Sequence, residues 1–239
     1  MRPLIILSAA LLVLAVACAG NDNDDPPEVD AFHLPWAADE DWFFVGGPHC
    51  DSRAEACPNG AARYALDFAP RAPLTGFLCN PSENDEYWVT AAAAGVVRIA
   101  NLSLVEVEHD DGIRTGYYHL RSSSLAVTPG DFIEAGARLG NTSCEHLRGG
   151  TVPGPHVHFY FCATDDPAAA CLDDRASLLA AEGRTLSGWQ IQAAEQNYSG
   201  SLVRGEETRT ATALSCAGAN PASDCAGLRN DVTPNQEGR

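Results

Sequence analysis

Lysine is absent from this chain. All 15 basic residues among its 239 are arginines, set against 32 acids, which leaves a formal charge of −17. No basic patch exists to displace counterions from phosphates, so nucleic acid is not an expected partner. Without lysine there is no P-loop and no Schiff-base nucleophile. The sequence also lacks G-x-S-x-G, H-E-x-x-H and C-x-x-C. The serine-hydrolase elbow, the zincin helix and the cysteine-rich structural zinc site therefore lose their usual signatures. Internal repeats are missing as well. What is there is a hydrophobic fraction of 45%, enough for a real core in one sizeable domain with appendages.

The N-terminus reads as an export signal. Arg2 supplies the positive end, residues 4–16 form an apolar stretch too short to span a bilayer comfortably, and Ala15-Val16-Ala17 fits a small-residue cleavage site. Cys18 follows directly. The stretch resembles a bacterial lipoprotein signal, in which that cysteine is acylated and holds the mature chain on a membrane; ordinary cleavage after Ala17 is the alternative. Residues 1–17 are thus read as signal, and 18–34 as a lipidated cysteine and an acidic tether. Setting Cys18 aside leaves 8 of the 9 cysteines, an even set that implies disulfides in an exported chain. Short spacings favour Cys50–Cys57, Cys162–Cys171 and Cys216–Cys225, with Cys79–Cys144 as the long-range staple.

Residues 35–205 are read as the main domain, and from about 35 to 165 short β-rich runs alternate with Gly and Pro turns. The expected fold is mainly β: a single antiparallel β-sheet domain with long disulfide-stapled loops. Strands are expected at Tyr87-Trp88-Val89-Thr90, at Gly95-Val96-Val97-Arg98-Ile99 and at Leu104-Val105-Glu106-Val107-Glu108. The last alternates apolar and acidic residues, as a half-buried strand should. A short helix is expected over residues 173–182 and a final hairpin over 189–203, turning near Asn197. Residues 206–239 read as a cysteine-containing, poorly ordered tail.

Chemistry concentrates in Gly154-Pro155-His156-Val157-His158-Phe159. On a strand, residues i and i+2 share a face, so His156 and His158 project side by side. Two of only 7 histidines lie here. Imidazole is the commonest metal ligand and the side chain best suited to proton transfer near neutrality. A catalytic zinc takes three protein ligands and keeps one position open. Upstream candidates are His49, which ends Gly46-Gly47-Pro48-His49, and Asp67, an acid between apolar neighbours that is costly unless paired or metal-bound. Between them and the His-x-His strand lies Tyr117-Tyr118-His119-Leu120.

These motifs resemble the lysostaphin and LytM class of zinc metallopeptidases, and most closely its β-lytic (staphylolysin) branch. The motifs are Gly-Gly-Pro-His49 with Leu-Asp67-Phe-Ala-Pro, then Tyr-Tyr-His119-Leu, then Gly-Pro-His156-Val-His158-Phe. Val127-Thr-Pro-Gly-Asp-Phe-Ile-Glu-Ala-Gly-Ala-Arg-Leu-Gly140 is similar to the family's hairpin. The resemblance covers roughly residues 43–161. It implies that His49, Asp67 and His158 ligate zinc with water in the fourth position, and that His119 and His156 are the catalytic histidines. One would take the water's proton and one would bind the oxyanion. It also implies a peptide cross-link of bacterial peptidoglycan as substrate. The expected location is exported, on a membrane facing the periplasm or cell surface, or else secreted. The sequence sets no oligomeric state.

One departure stands out. In the lysostaphin-like branch the first zinc-binding histidine sits four residues before the aspartate; here that position is Arg63, which cannot ligate zinc. His49 is the expected replacement. An inactive LytM-type domain that binds wall or activates an amidase is the alternative that Arg63 raises. Of the remaining histidines, His109 is expected to be structural, His146 to lie in a solvated loop and His33 to be incidental. Trp42, Phe43 and Phe44 are expected in the core.

Overall fold

Strands dominate, and glycine and proline turns set their short lengths. The computed structural model describes residues 32–50, 57, 61–71, 87–147, 151–212 and 227–230. The signal, residues 18–31 of the expected tether and the Cys216–Cys225 pair lie outside these residues; the last tether positions are not tail but core, with Phe32 and Leu34 buried. In chain order the strands are β1 (Asp41–His49), β2 (Ala65–Pro70), β3 (Trp88–Thr90), β4 (Gly95–Asn101), β5 (Leu104–Glu108), β6 (Arg114–Tyr118), β7 (Phe132–Ile133) and β8 (Arg138–Asn141). They continue as β9 (Ser143–Glu145), β10 (Thr151–Cys162), β11 (Leu178–Leu179), β12 (Thr185–Leu186), β13 (Trp189–Ala193), β14 (Gly200–Arg204), β15 (Glu207–Thr210) and β16 (Gly227–Arg229). Every pairing is antiparallel. The main sheet runs β16-β1-β2-β10-β6-β5-β4-β7, with β9 and β11 also on β10; β12 to β15 form a second sheet, and β3 with β8 a third.

The two-residue period of β10 divides the molecule. Val157, Phe159 and Phe161 enter the large core with Leu34, Trp36, Trp42, Phe44, Leu66 and Phe68. Tyr160 and Cys162 enter a smaller cluster on the opposite face with Cys50, Tyr64, Leu104 and Tyr118. His156 and His158 share that second face. Trp42, Phe43 and Phe44 are all at most 2% exposed, as core residues.

Two expectations fail, both through long-range contacts. Residues 173–182 form no helix. Two single 3₁₀ turns, Cys171–Asp173 and Arg175–Ser177, lead into β11, which pairs with the end of β10. The Cys162–Cys171 disulfide fixes the start of this segment, and Ala163 donates its N–H to the Ser177 carbonyl. Tertiary pairing overrides the helical propensity of Leu and Ala. Nor is β5 half-solvated: Glu106 is fully buried. It accepts hydrogen bonds from Tyr160 Oη at 2.6 Å and from the Cys171 amide at 2.9 Å, and pairs with buried Arg114. Arg114 in turn donates to the Asp166 and Ala169 carbonyls, so the 162–171 loop is tied down over this face. Burial pushes the Glu106 carboxyl up, while Tyr160, Cys171 and Arg114 pull against it.

Cys50–Cys57 and Cys162–Cys171 are bridged as expected. Cys144 is disulfide-bonded too; its expected partner Cys79 lies outside the described residues. The hairpin near Asn197 is β13–β14, extended by β15, and β16 pairs with β1, so parts of the 206–239 tail are strand.

Candidate metal centre

Sheet register assembles the site. His158 on β10 lies directly opposite Asp67 on β2 and Tyr118 on β6. His49 ends β1 after two register shifts, which swing its ring over β2. The two glycines before it are demanded by close approach. A Cβ on Gly46 would sit 2.7 Å from Asp67 Oδ2, and one on Gly47 would sit 2.6 Å from the Ser199 carbonyl carbon. His119 follows β6 in the left-handed region, at φ +67°. That kink breaks the strand's alternation, so adjacent residues Tyr118 and His119 stack on one side with ring centroids 3.9 Å apart.

All five sequence-predicted residues converge, and none is more than 6% exposed. Backbone carbonyls fix three of the rings: His49 Nδ1 donates to Gly47 O at 2.8 Å, His119 Nδ1 to Glu145 O at 2.7 Å, and His156 Nδ1 to Gly154 O at 3.0 Å. A carbonyl can only accept, so each Nδ1 carries the proton and each Nε2 presents a lone pair. The His119 and His156 rings are 4.8 Å apart, and His156 Nε2 is 3.9 Å from Asp67 Oδ1.

His49 Nε2, Asp67 Oδ1 and His158 Nδ1 form a triangle. Its edges are 3.5 Å from His49 to Asp67, 3.1 Å from His158 to Asp67 and 3.2 Å from His49 to His158. Metal–ligand bonds of about 2.0–2.1 Å place tetrahedral donors about 3.3–3.4 Å apart. The triangle fits such an ion, and its two imidazoles and one carboxylate are an ordinary donor set for it. A second group, Glu106 with Cys162 and Cys171, has comparable spacing, but its sulfurs are spent in a disulfide. Burial depresses His49 to about 4, against the opposing pull of Asp67, so its imidazole is neutral and able to ligate near neutral pH. Burial alone would raise Asp67, but His49, His156 and His158 hold its carboxyl far below the usual range. Burial, reinforced by His156 and His158, pushes His119 well below its ordinary value.

Sequence reasoning placed the β13–β14 hairpin but missed that it braces His49. Tyr198 stacks on the His49 ring at 3.9 Å, its carbonyl accepts the Gly47 amide at 2.9 Å, and Asn197 Oδ1 accepts the Cys50 amide at 3.1 Å. Arg63 belongs to this brace. Its guanidinium donates to the Ala194 carbonyl and, at 2.6 Å, to that of Glu195. The residue at the usual ligand position thus ties down the loop that holds the replacement ligand. No local pattern advertises this, because the partners lie more than 130 residues apart.

His109 lies outside the site. The amide of Ala92 donates to Tyr117 Oη, and the chain runs through Thr115 Oγ1 and His109 Nε2 to His109 Nδ1, which donates to Ala94 O. Both ends of the chain are fixed, so every proton in it is assigned and His109 is neutral. Burial lowers its pKa accordingly. His146 is exposed at the rim, with its ring 6.0 Å from that of His119.

A family profile described as Peptidase family M23 matches residues 75–169. That match spans about two fifths of the chain, which there resembles an M23 peptidase domain. The matched span includes His119, His156 and His158 and stops short of His49 and Asp67, the stretch where Arg63 departs from the common pattern. The chain is 29% identical over 137 residues to "Protease LasA" of Pseudomonas aeruginosa, which covers 56% of this chain and 29% of that protein. It is 26% identical over 167 residues to "Beta-lytic metalloendopeptidase" of Achromobacter lyticus, covering 69% of this chain and 39% of that protein. It thus spans less than two fifths of either relative's length. The solved structure of pseudoalterin, an M23 metalloprotease from the deep sea, superposes at a TM-score of 0.55 with 24% identity, over 76% of this chain and 95% of that one, and shares the fold.

Proposed function

We propose that this protein is an exported zinc endopeptidase that hydrolyses peptide cross-links of bacterial peptidoglycan. His49, Asp67 and His158 hold the metal; His119 and His156 are the catalytic histidines. The observation that carries the reading is the triangle of 3.1–3.5 Å edges presented by two imidazole nitrogens and a carboxylate oxygen. When bound, zinc supplies Lewis acidity, polarising the scissile carbonyl and bringing water's acidity near neutrality.

The protein groups do the rest. Because His119 and His156 both keep their Nδ1 protons on backbone carbonyls, each offers Nε2 to the cleft in a fixed orientation. Either can accept a proton from attacking water, and once protonated either can donate to an oxyanion or to a leaving amine. The Gly154 and Glu145 carbonyls stabilise the imidazolium that forms. The three disulfide-bonded segments support export, since such bonds persist in oxidising compartments. We further propose that acylated Cys18 and the acidic residues after it tether the domain, residues 35–205, to a membrane.

The test is hydrolysis of purified peptidoglycan, read as newly released amino groups, by the parent and by His119→Ala and His156→Ala. We expect turnover by the parent and full zinc with little turnover in both variants. A fully zinc-loaded parent that releases nothing would instead leave a wall-binding or amidase-regulating domain.

A further inference from the structure

His119 owes its position to a short strand that belongs to neither side of the metal triangle. β9 runs past both proposed catalytic histidines: Ser143 is the register partner of His156, and the Ser143 amide donates to the His119 carbonyl at 2.8 Å. Ser143 Oγ donates to that same carbonyl at 3.0 Å and accepts the Glu145 amide at 2.9 Å. Glu145 then takes the His119 Nδ1 proton on its own carbonyl at 2.7 Å. A closed circuit results, from His119 O through the Ser143 hydroxyl to the Glu145 backbone and back to the His119 ring. Ser143 is buried, so no competing solvent replaces these bonds. The circuit surrounds a residue whose φ of +67° the chain does not adopt freely.

We infer that Ser143 is a positioning residue for His119: its hydroxyl locks the left-handed turn and thereby fixes which ring nitrogen faces the cleft. The inference rests on His119 acting at the site, but its central claim, the ring's orientation and tautomer, is independent of turnover. The disulfide at Cys144 staples the same strand, so the latch is anchored from the residue between its two contacts.

The experiment compares the parent, Ser143→Ala and Ser143→Thr by nitrogen-15 NMR of the His119 ring and by steady-state peptide hydrolysis, with zinc content as control. The parent should show a single tautomer protonated at Nδ1. Ser143→Ala should show a mixture, with kcat down on the order of tenfold, KM within about twofold and zinc unchanged. Threonine keeps the hydroxyl and should restore both readouts. A parent ring protonated at Nε2 overturns the inference without any variant, even if the alanine protein fails to fold. So does an alanine variant with parental tautomer and kcat, or a loss that threonine does not repair. A parent that shows the Nδ1 tautomer but cleaves nothing would fail the proposed function while leaving the tautomer comparison to decide the latch.

Discussion

At the scale of single residues, burial keeps the His49 and His119 imidazoles of the site neutral. His49 falls from 6.5 to about 4, and His119 and His109 move the same way. A depressed folded-state pKa means that the unfolded chain binds these protons more readily. The stability they contribute is therefore full above about pH 6.5 and drains as pH falls through the folded values. Thermal midpoints of the chelator-treated protein should be level above about pH 7 and fall steadily from 6.5 towards 4; a level profile across that window would contradict the assignment. Much of this chemistry was legible beforehand. Period-two spacing alone puts His156 and His158 on one face, and an acid hemmed in by apolar residues marks Asp67 as held by something. Ser143, Asn197 and Tyr198 were not legible. Their roles exist only once distant segments pair, and Ser and Asn in a turn-rich chain carry no local signature.

At the scale of elements, the strands read from composition lie where alternation put them, and the errors cluster where the 162–171 loop lands. Glu106 looked solvent-facing because its own strand alternates; Cys171, in the loop that buries it, is 65 residues downstream. Residues 173–182 looked helical because propensity ignores the disulfide before them and the β10 edge beside them. On β10, Tyr160 is the register partner of Gly116 on β6, where a Cβ would lie 2.0 Å from Tyr160 Cζ. Gly116→Ala should cost about 3 kcal/mol, the upper end for overpacking, seen as a lower urea midpoint at unchanged slope. The β13–β14 hairpin makes a separate prediction. Arg63→Ala frees the Ala194 and Glu195 carbonyls and slackens the stack of Tyr198 on His49, so zinc affinity should weaken about tenfold while the fold persists. Unchanged affinity would mean that His49 needs no brace.

At the scale of the whole molecule, charge bears on the proposed anchoring. A net charge of −17 opposes approach to anionic wall polymers. That suits an enzyme held beside its substrate better than one that must diffuse to it. Hydrolysis of intact walls by the soluble domain should therefore rise from low salt to about 0.15 M, where the screening length is about 8 Å, while cleavage of a small uncharged peptide stays constant. A fall with salt on walls would show that attraction, not repulsion, governs the encounter. The divided core serves the same end. One face of the main sheet packs the large core, and the other carries the histidines, with the 162–171 loop tied to Arg114 and the β13–β14 hairpin stacked on His49.

The most direct test of the account is the zinc content of the purified chain beside that of His49→Ala. Near-stoichiometric metal in the parent, largely lost in the variant, is the predicted result. A parent that takes up no zinc on reconstitution, or a variant that keeps it, would contradict the three-residue site on which the proposed function stands.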